Sequence, residues 1–228
     1  MNVPVIAIDG PSGSGKGTLA RLLAARLGWH LLDSGALYRL TALAALRRGV
    51  ALDDAPALAR VAAELDVHFE SDGSREGRIL LDGVEVGAEL RTETTGNAAS
   101  CVASVPQVRE ALFERQRRFA VAPGLVADGR DMGTVVFPDA ALKVYLDASA
   151  QVRAERRYKQ LKEKGIGANL ADLVAEIRAR DERDMNRSVA PLRPAEDALM
   201  LDSSTIGIDA VLDQVMVWMR ERLGEARH

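Results

Sequence analysis

Residues 3–23 read VPVIAIDGPSGSGKGTLARLL, and this stretch decides the fold. The apolar run at residues 5–8 predicts a buried parallel strand, the Gly/Ser-rich segment after it a turn, and the Ala/Leu/Arg pattern a helix. Residues 10–16 have the spacing of a phosphate loop, in which backbone N–H groups surround phosphate oxygens. The helix directs its N-terminal dipole at the same anion. We predict a nucleoside triphosphate site, the alternative being a tight loop without ligand.

One position departs from the general phosphate-loop pattern. Gly17 follows Lys16 where a Ser or Thr is usual, and Thr18 comes next. We expect Thr18 to hydrogen-bond a phosphate and Mg²⁺ to be held by phosphates and water. The predicted ATP-binding residues are Gly10, Pro11, Ser12, Gly13, Ser14, Gly15, Lys16, Gly17 and Thr18.

Composition narrows the class of protein. The chain has 228 residues, enough to bury one substantial core without disulfides, and its single cysteine, Cys101, excludes an internal disulfide. A formal net charge of −3 argues against a broad nucleic-acid surface. The amino terminus lacks a basic n-region, and no apolar run approaches the roughly 18 residues of a membrane span. We expect a cytoplasmic protein that binds neither nucleic acid nor membrane.

The rest of the chain alternates short apolar runs with helical patterns. Further buried strands are predicted at residues 29–32, 125–128, 141–146 and 199–202. Helices are predicted at residues 16–27, 36–48, 54–65, 93–103, 106–121, 150–164, 170–187 and 208–223. Five apolar strands separated mostly by helices predict an α/β fold with a five-stranded, doubly wound parallel sheet built on the phosphate loop.

A different pattern occupies about residues 66–92. Residues 67–69 are strand-like, residues 70–77 form a polar turn, and residues 78–86 carry a hairpin signal centred on Asp82 and Gly83. This predicts a small antiparallel β insert. The expected division is a phosphate-loop core at residues 1–33, 105–150 and 190–228, a monophosphate-binding lobe at residues 34–104, and a helical lid at residues 151–189.

Polar residues at the ends of predicted strands are candidate ligands, because the carboxyl edge of an open α/β sheet faces the ligand. Ser34 follows the second strand and either caps the next helix or contacts a ligand as well. Asp128 ends the third strand and either holds water on Mg²⁺ or only forms a turn. Arg130 and Asp131 lie in the next glycine-flanked turn, where the alternative is an ion pair between them.

Arginines on predicted helices are candidate phosphate ligands, since a guanidinium can bind phosphate oxygens through two N–H groups. Arg39 lies one turn into the helix after Ser34, with a solvated surface charge as the alternative. Arg180, Asp184 and Arg187 are spaced four and three apart and so share one helix face, although pairs within the helix explain much of that pattern.

Several motifs together resemble one family. They are GPSGSGKGT, LLDSGALYR, NAAS, VREAL, ADGRDMGTVVFPDA and RDERDMNRSVAPLRPA, which span nearly the whole chain. The chain resembles the bacterial cytidylate kinases, nucleoside monophosphate kinases that phosphorylate CMP and dCMP with ATP. The GKGT form is the one found across nucleoside monophosphate kinases, and the antiparallel insert resembles the extension of the bacterial cytidylate kinases.

The resemblance implies a role for each matching position. Lys16 and the loop amides would hold the ATP β- and γ-phosphates, and Arg156 and Arg157 would close over the donor phosphates. Asp128 would orient Mg²⁺-bound water, and Asp184 would hydrogen-bond the ribose. Ser100, Arg109 and Asp131 would contact the cytosine edge. The residues expected around the CMP phosphate are Arg39, Arg130, Arg180 and Arg187, with Ser34 nearby.

Three other functions remain open at this point. One is another small-molecule P-loop kinase, acting on UMP, dTMP or a metabolite hydroxyl. The others are a nucleotide-switched binding protein and a mechanical ATPase. A guanine-reading Asn/Thr-Lys-x-Asp segment is absent from the sequence, which disfavours a GTPase switch. A monomer is expected.

Overall fold

The computed structural model describes residues 3–70, 78–163 and 165–224. Its strands are β1 (Val5–Asp9), β2 (His30–Asp33), β3 (Val67–Glu70), β4 (Arg78–Leu81), β5 (Val84–Glu85), β6 (Leu125–Gly129), β7 (Leu142–Asp147) and β8 (Leu199–Asp202). Its helices are α1 (Lys16–Leu27), α2 (Ser34–Arg47), α3 (Ala55–Ala63), α4 (Gly87–Leu90), α5 (Glu93–Val102), α6 (Pro106–Arg117), α7 (Ala150–Glu163), α8 (Leu170–Asn186) and α9 (Ile208–Leu223). No described helix is both long and apolar enough to cross a membrane.

The described chain divides into two compact units, residues 1–33 with 116–228 and residues 34–115. The first unit contains a five-stranded sheet in the order β2-β6-β1-β7-β8. All four neighbouring pairs are parallel, with Ile8 opposite Asp128 and Asp147 opposite Asp202. The predicted five-stranded parallel α/β sheet is therefore confirmed.

The core of this unit forms around the central strand. All five residues of β1 are buried, as expected for a strand with a neighbour on each side. Helices α1 and α9 pack their apolar faces on the sheet, because leucines, valines and methionines recur at helical spacing along one side of each. The core residues include Ile6, Ile8, Leu19, Leu23, Val126, Val144, Leu146, Val211, Val215 and Met219.

The second unit combines helices with the β insert. Strands β3, β4 and β5 form an antiparallel sheet in that order, as predicted. The turn between β4 and β5 places Asp82 at φ 49° and Gly83 at φ 77°, the left-handed pair that a tight hairpin requires. Helix α2 begins at Ser34, so Ser34 is its first residue and not a cap before a helix at residue 36.

Other boundaries differ from the sequence expectation. The helix predicted to reach residue 121 ends at Arg117 and continues as tight turns from Phe119 to Val121. Residues 132–136 form a single π-helical turn (Met132–Val136), which the sequence analysis did not predict. The polar turn predicted at residues 70–77 begins later than expected, because Glu70 is the last residue of β3. The rest of that turn, residues 71–77, and the predicted helix end at residue 164 lie outside the described residues.

Candidate functional site

Each strand of the parallel sheet has an aspartate at or next to its last residue. These residues are Asp9, Asp33, Asp128, Asp147 and Asp202. Parallel strands bring their carboxyl ends to one edge, and ligands of open α/β sheets bind outside that edge. Asp147 and Asp202 accept hydrogen bonds from nearby backbone N–H groups, of Ala148 and Ser204, and so belong to local turns.

The phosphate loop, residues 10–18, leads from β1 into α1. Gly10 has a φ of 152°, and a Cβ there would lie 2.1 Å from the carbonyl oxygen of Leu146, so only glycine fits. Lys16 is buried, and its Nζ donates to the carbonyl of Pro11 at 3.0 Å. The Oγ of Ser14 is buried and has no hydrogen-bond partner among the described residues, so a bound phosphate would satisfy it.

The unusual glycine after Lys16 has a steric reason. A Cβ at Gly17 would lie 3.0 Å from Oδ2 of Asp128, closer than most real contacts. A serine or threonine at this position would therefore crowd the carboxylate at the end of β6. Thr18 is exposed, and its Oγ1 accepts a long 3.5 Å hydrogen bond from Arg21 on the same helix.

Burial dominates the electrostatics around Lys16. The Nζ lies 4.0 Å from Oδ1 of Asp128, and both side chains are nearly inaccessible to water. Burial lowers the pKa of Lys16, and Arg130 lowers it further, while Asp128 and Asp33 act in the opposite direction. Burial likewise raises the pKa of Asp128 against the effect of Lys16. A polyanion bound here would favour the charged lysine.

Two arginines of α7 contact the backbone of the phosphate loop. Arg156 donates to the carbonyl of Ser14 at 3.3 Å and to that of Ser203 at 2.6 Å. Arg153 donates to the carbonyl of Ser12 at 2.9 Å and forms an ion pair with Asp181 of α8. The sequence predicted a role for Arg156 but missed the structural role of Arg153.

The third arginine of this predicted lid helix, Arg157, lies half-buried next to Arg156 along the chain. Sequence alone cannot separate the three arginines of α7, because only the packing of α7 against the loop and α8 decides which one is buried. The predicted role of Arg156 and Arg157, which is to cover the donor phosphates, remains a prediction.

A second group of charges surrounds Asp184, and we call Arg130, Arg180, Asp184 and Arg187 the arginine cluster. Nε of Arg130 donates to Oδ2 of Asp184 at 3.1 Å, in a pair that is largely buried. Burial alone would raise the pKa of Asp184, but Arg130, Arg180 and Arg187 outweigh it and hold this pKa below its usual value. The predicted shared face of α8 thus brings its charges together with Arg130 of the segment after β6.

Asp9 is a further residue that the sequence analysis missed. Its Oδ1 accepts from the N–H of Met132 and its Oδ2 from the N–H of Gly133, both at 2.8 Å. Burial raises the pKa of Asp9 to about 6, even though these two hydrogen bonds lower it. The strand-end rule that selected Asp128 applies equally to Asp9. Asp131, which precedes Met132, is 1% exposed.

The second unit holds the other predicted site residues. Arg39 donates to the carbonyl of Leu90 at 2.6 Å, so it is not a freely solvated surface charge. Ser34, Ser100 and Arg109 are buried. The guanidinium of Arg109 lies 5.6 Å from the ring centre of Tyr38, a cation–π contact that holds the arginine in place.

Comparison with known proteins identifies the family. A family model described as cytidylate kinase matches residues 6–221. The chain belongs to the cytidylate kinase family. The cytidylate kinase of Aeromonas salmonicida (strain A449) is 59% identical over 223 residues, which cover 98% of this chain and 96% of the relative. That of Pseudomonas aeruginosa (strain LESB58) is 60% identical over 215 residues, 94% of each chain. That of Klebsiella pneumoniae (strain 342) is 56% identical over 226 residues, 99% of each.

Membership of the cytidylate kinase family confirms the resemblance predicted from the motifs. The chain is accordingly a phosphotransferase of the nucleoside monophosphate kinase type, and the switch and mechanical ATPase alternatives are set aside. The match covers the phosphate loop and the arginine cluster alike, since both lie within residues 6–221.

Proposed function

We propose that this chain transfers the γ-phosphoryl group of ATP to the phosphate of CMP or dCMP. The products are ADP and cytidine or deoxycytidine diphosphate. The observation that carries the proposal is geometric. Asp128 lies 4.0 Å from Nζ of Lys16. Arg130, two residues further along the chain, donates to Asp184 at 3.1 Å, so the phosphate loop and the arginine cluster both lie at the carboxyl end of β6 in the first unit. Cytidylate kinase relatives over nearly the full length support the choice of acceptor.

The chemistry requires neutralised charge and alignment more than a strong base. An oxygen of the CMP phosphate attacks the γ-phosphorus in line, the bond from that phosphorus to the β–γ bridging oxygen breaks, and ADP leaves. The attacking phosphate is already ionised at neutral pH. Lys16 would neutralise charge on the donor phosphates, while Arg130, Arg180 and Arg187 would hold the acceptor phosphate. Arg156 and Arg157 would neutralise charge during transfer.

The residues present fit Mg²⁺ held by phosphates and water. No group of three or more potential ligands that could hold a metal occurs among the described histidine, cysteine and carboxylate side chains. Mg²⁺ commonly keeps several waters and takes few protein ligands in such sites. Asp128 would hold one of those waters, because its carboxylate lies at the carboxyl end of β6 next to the phosphate loop. When bound, the ion screens negative charge on the phosphate oxygens.

The remaining assignments are part of the same proposal. Asp131, Ser100 and Arg109 contact the cytosine edge, Asp184 binds the ribose, and Ser34 and Arg39 assist at the acceptor phosphate. Residues 34–104 act as the monophosphate-binding lobe and residues 151–189 as the lid. We further propose a cytoplasmic monomer that binds neither nucleic acid nor membrane.

A panel of acceptors tests the proposal. ADP release from ATP is followed in a coupled assay with CMP, dCMP, UMP and dTMP at equal concentrations. We expect CMP and dCMP to give the highest kcat/KM. A preference for UMP, dTMP or a hydroxyl acceptor would replace the substrate assignment, and rapid phosphate release from ATP without any acceptor would contradict phosphoryl transfer to a monophosphate.

A further inference from the structure

The side chain of Asp9 connects two segments that are far apart in sequence. Its two carboxylate oxygens accept from the consecutive N–H groups of Met132 and Gly133, 123 and 124 residues away. These N–H groups begin the π-helical turn, where a helix has no partners of its own for them. The carboxylate therefore caps this turn from another strand, and its negative charge lies at the positive end of the turn.

The backbone of the same residue holds the other side of this segment. Asp9 is opposite Gly129 in the parallel pairing of β1 with β6. Asp9 thus fixes the chain before Arg130 through its strand pairing and the chain after Asp131 through its side chain. Arg130 and Asp131 form a two-residue bridge that is held at both ends by one residue.

Close packing leaves this segment little room to shift. A Cβ at Gly129 would lie 2.8 Å from the side chain of Met132. A Cβ at Gly133 would lie 3.1 Å from the Lys143 side chain and 3.4 Å from Oδ2 of Asp9. The contact of the Asp9 side chain with the N–H groups of Met132 and Gly133 also requires two acceptor oxygens. An asparagine offers one acceptor and would set an NH₂ group against the second N–H.

We propose that Asp9 is a positioning residue for the phosphate acceptor, which sets the orientation of Arg130 and Asp131 without touching substrate. The inference rests on the proposed function for the roles of those two residues. The phosphate loop begins directly after Asp9, but its geometry depends on the backbone of β1, which β6 and β7 hold on both sides. The Asp9 carboxylate also interacts with the charge of Lys16, but that interaction is weaker than its two backbone hydrogen bonds. Loss of the side-chain contact should therefore affect the acceptor more than it affects ATP binding.

The first test is Asp9→Asn, with Asp147→Asn as the matched control. Asp147 also ends a strand of the same sheet, but its carboxylate accepts a hydrogen bond from the adjacent N–H of Ala148, which an asparagine oxygen can keep. We expect Asp9→Asn to lower kcat/KM for CMP by about 10- to 100-fold and to reduce the preference for CMP over UMP. The KM for ATP should change less than about twofold, and Asp147→Asn should change neither parameter.

A larger kinetic loss for CMP than for ATP distinguishes positioning from general destabilisation. Equal losses of kcat/KM for ATP and CMP, or no loss for either, would overturn the proposal. If the wild-type protein fails to phosphorylate CMP, the proposed function fails, and the same comparison with ATP is then made with the acceptor that the wild type does use.

A second test needs no substrate. Hydrogen exchange followed by NMR should show the amides of Met132 and Gly133 exchanging at least about tenfold faster in Asp9→Asn, with that of Ala127 in β6 unchanged. Unchanged exchange at both amides would overturn the contact. If Asp9→Asn does not fold, Gly133→Ala disturbs the same segment, because its Cβ would lie only 3.1 Å from the Lys143 side chain and would displace the backbone that donates to Asp9. It should lower kcat/KM for CMP more than for ATP, and a loss confined to ATP would contradict the proposal.

Discussion

The phosphate loop and the arginine cluster, which we propose as the donor and acceptor phosphate sites, are built by different means. The loop consists of consecutive residues, and backbone carbonyls of Ser12 and Ser14 are held from outside by Arg153 and Arg156. The cluster consists of side chains from two segments more than 50 residues apart, joined by the Arg130 and Asp184 pair. A site made from backbone depends on local sequence, whereas a site made from side chains depends on the tertiary fold.

The largest effect should come from Lys16, the positively charged residue of the phosphate loop. Lys16→Met removes a buried cation from the donor phosphates, and we expect kcat to fall by about 10³-fold. Steady-state kinetics with saturating ATP and CMP measure this loss. Arg26→Met is the control, because Arg26 is an exposed cation on the same helix. A loss of less than about tenfold would show that the loop backbone alone stabilises the transition state.

The next effect tests the cluster directly. Arg130→Ala should lower kcat/KM for CMP by at least about 100-fold, or about 2.7 kcal/mol, because it removes a cation from the acceptor phosphate. Arg193→Ala, at an exposed arginine, is the matched control. Near-wild-type kinetics for Arg130→Ala would remove this residue from the site.

The cluster also predicts a dependence of stability on pH in the acid range. The pKa of Asp184 is lowered in the fold, so its stabilising contribution is present at neutral pH and is lost as pH falls below the ordinary aspartate pKa of about 3.9. We expect Asp184→Asn to lower the free energy of unfolding by about 2 kcal/mol at pH 7. Urea titrations at pH 7 and at successively lower pH should show this difference narrowing.

The control for this titration is Asp197→Asn. Asp197 also has a lowered pKa, through its hydrogen bond to Lys143, but it is an exposed surface residue and should contribute little. A difference between wild type and Asp184→Asn that grows on acidification would contradict the assigned direction.

The smallest effect concerns the choice of base. Asp131→Ala should reduce the preference for CMP over UMP by about tenfold, because a charged acceptor is removed from the cytosine edge. The ratio of kcat/KM for the two nucleotides measures it. An unchanged ratio would assign base recognition to residues outside the segment that Asp9 holds.

Local sequence was sufficient for much of the fold. Helices α1 and α9 have the predicted bounds, and Gly28 ends α1 in the left-handed conformation. The hairpin at Asp82 and Gly83 was predicted for the same kind of local reason. By contrast, the π-helical turn depends on N–H partners supplied by Asp9, which no pattern within residues 132–136 contains.

The site residues likewise fall into those that local sequence predicts and those that depend on the tertiary fold. The loop residues could be selected from their spacing, and the shared helix face of Arg180 and Asp184 from helical periodicity, whereas Arg187 directly follows the end of α8. The partner of Arg130 could not, since sequence suggested the adjacent Asp131 as readily as the distant Asp184. The burial of Arg153 depends on how α7 packs against α8, and its neighbours Arg156 and Arg157 carry the same local signal.

The order of the parallel strands has a consequence for synthesis of the protein. β1 leaves the ribosome first, yet its neighbours in the sheet, β6 and β7, begin at Leu125 and Leu142. Residues 34–115 form a compact unit with its own helices and sheet, and all of it is translated before either neighbour exists. Residues 34–115 can therefore fold on the nascent chain before β6 and β7 are synthesised. Until then, β1 and the phosphate loop that follows it have no neighbouring strand to pair with.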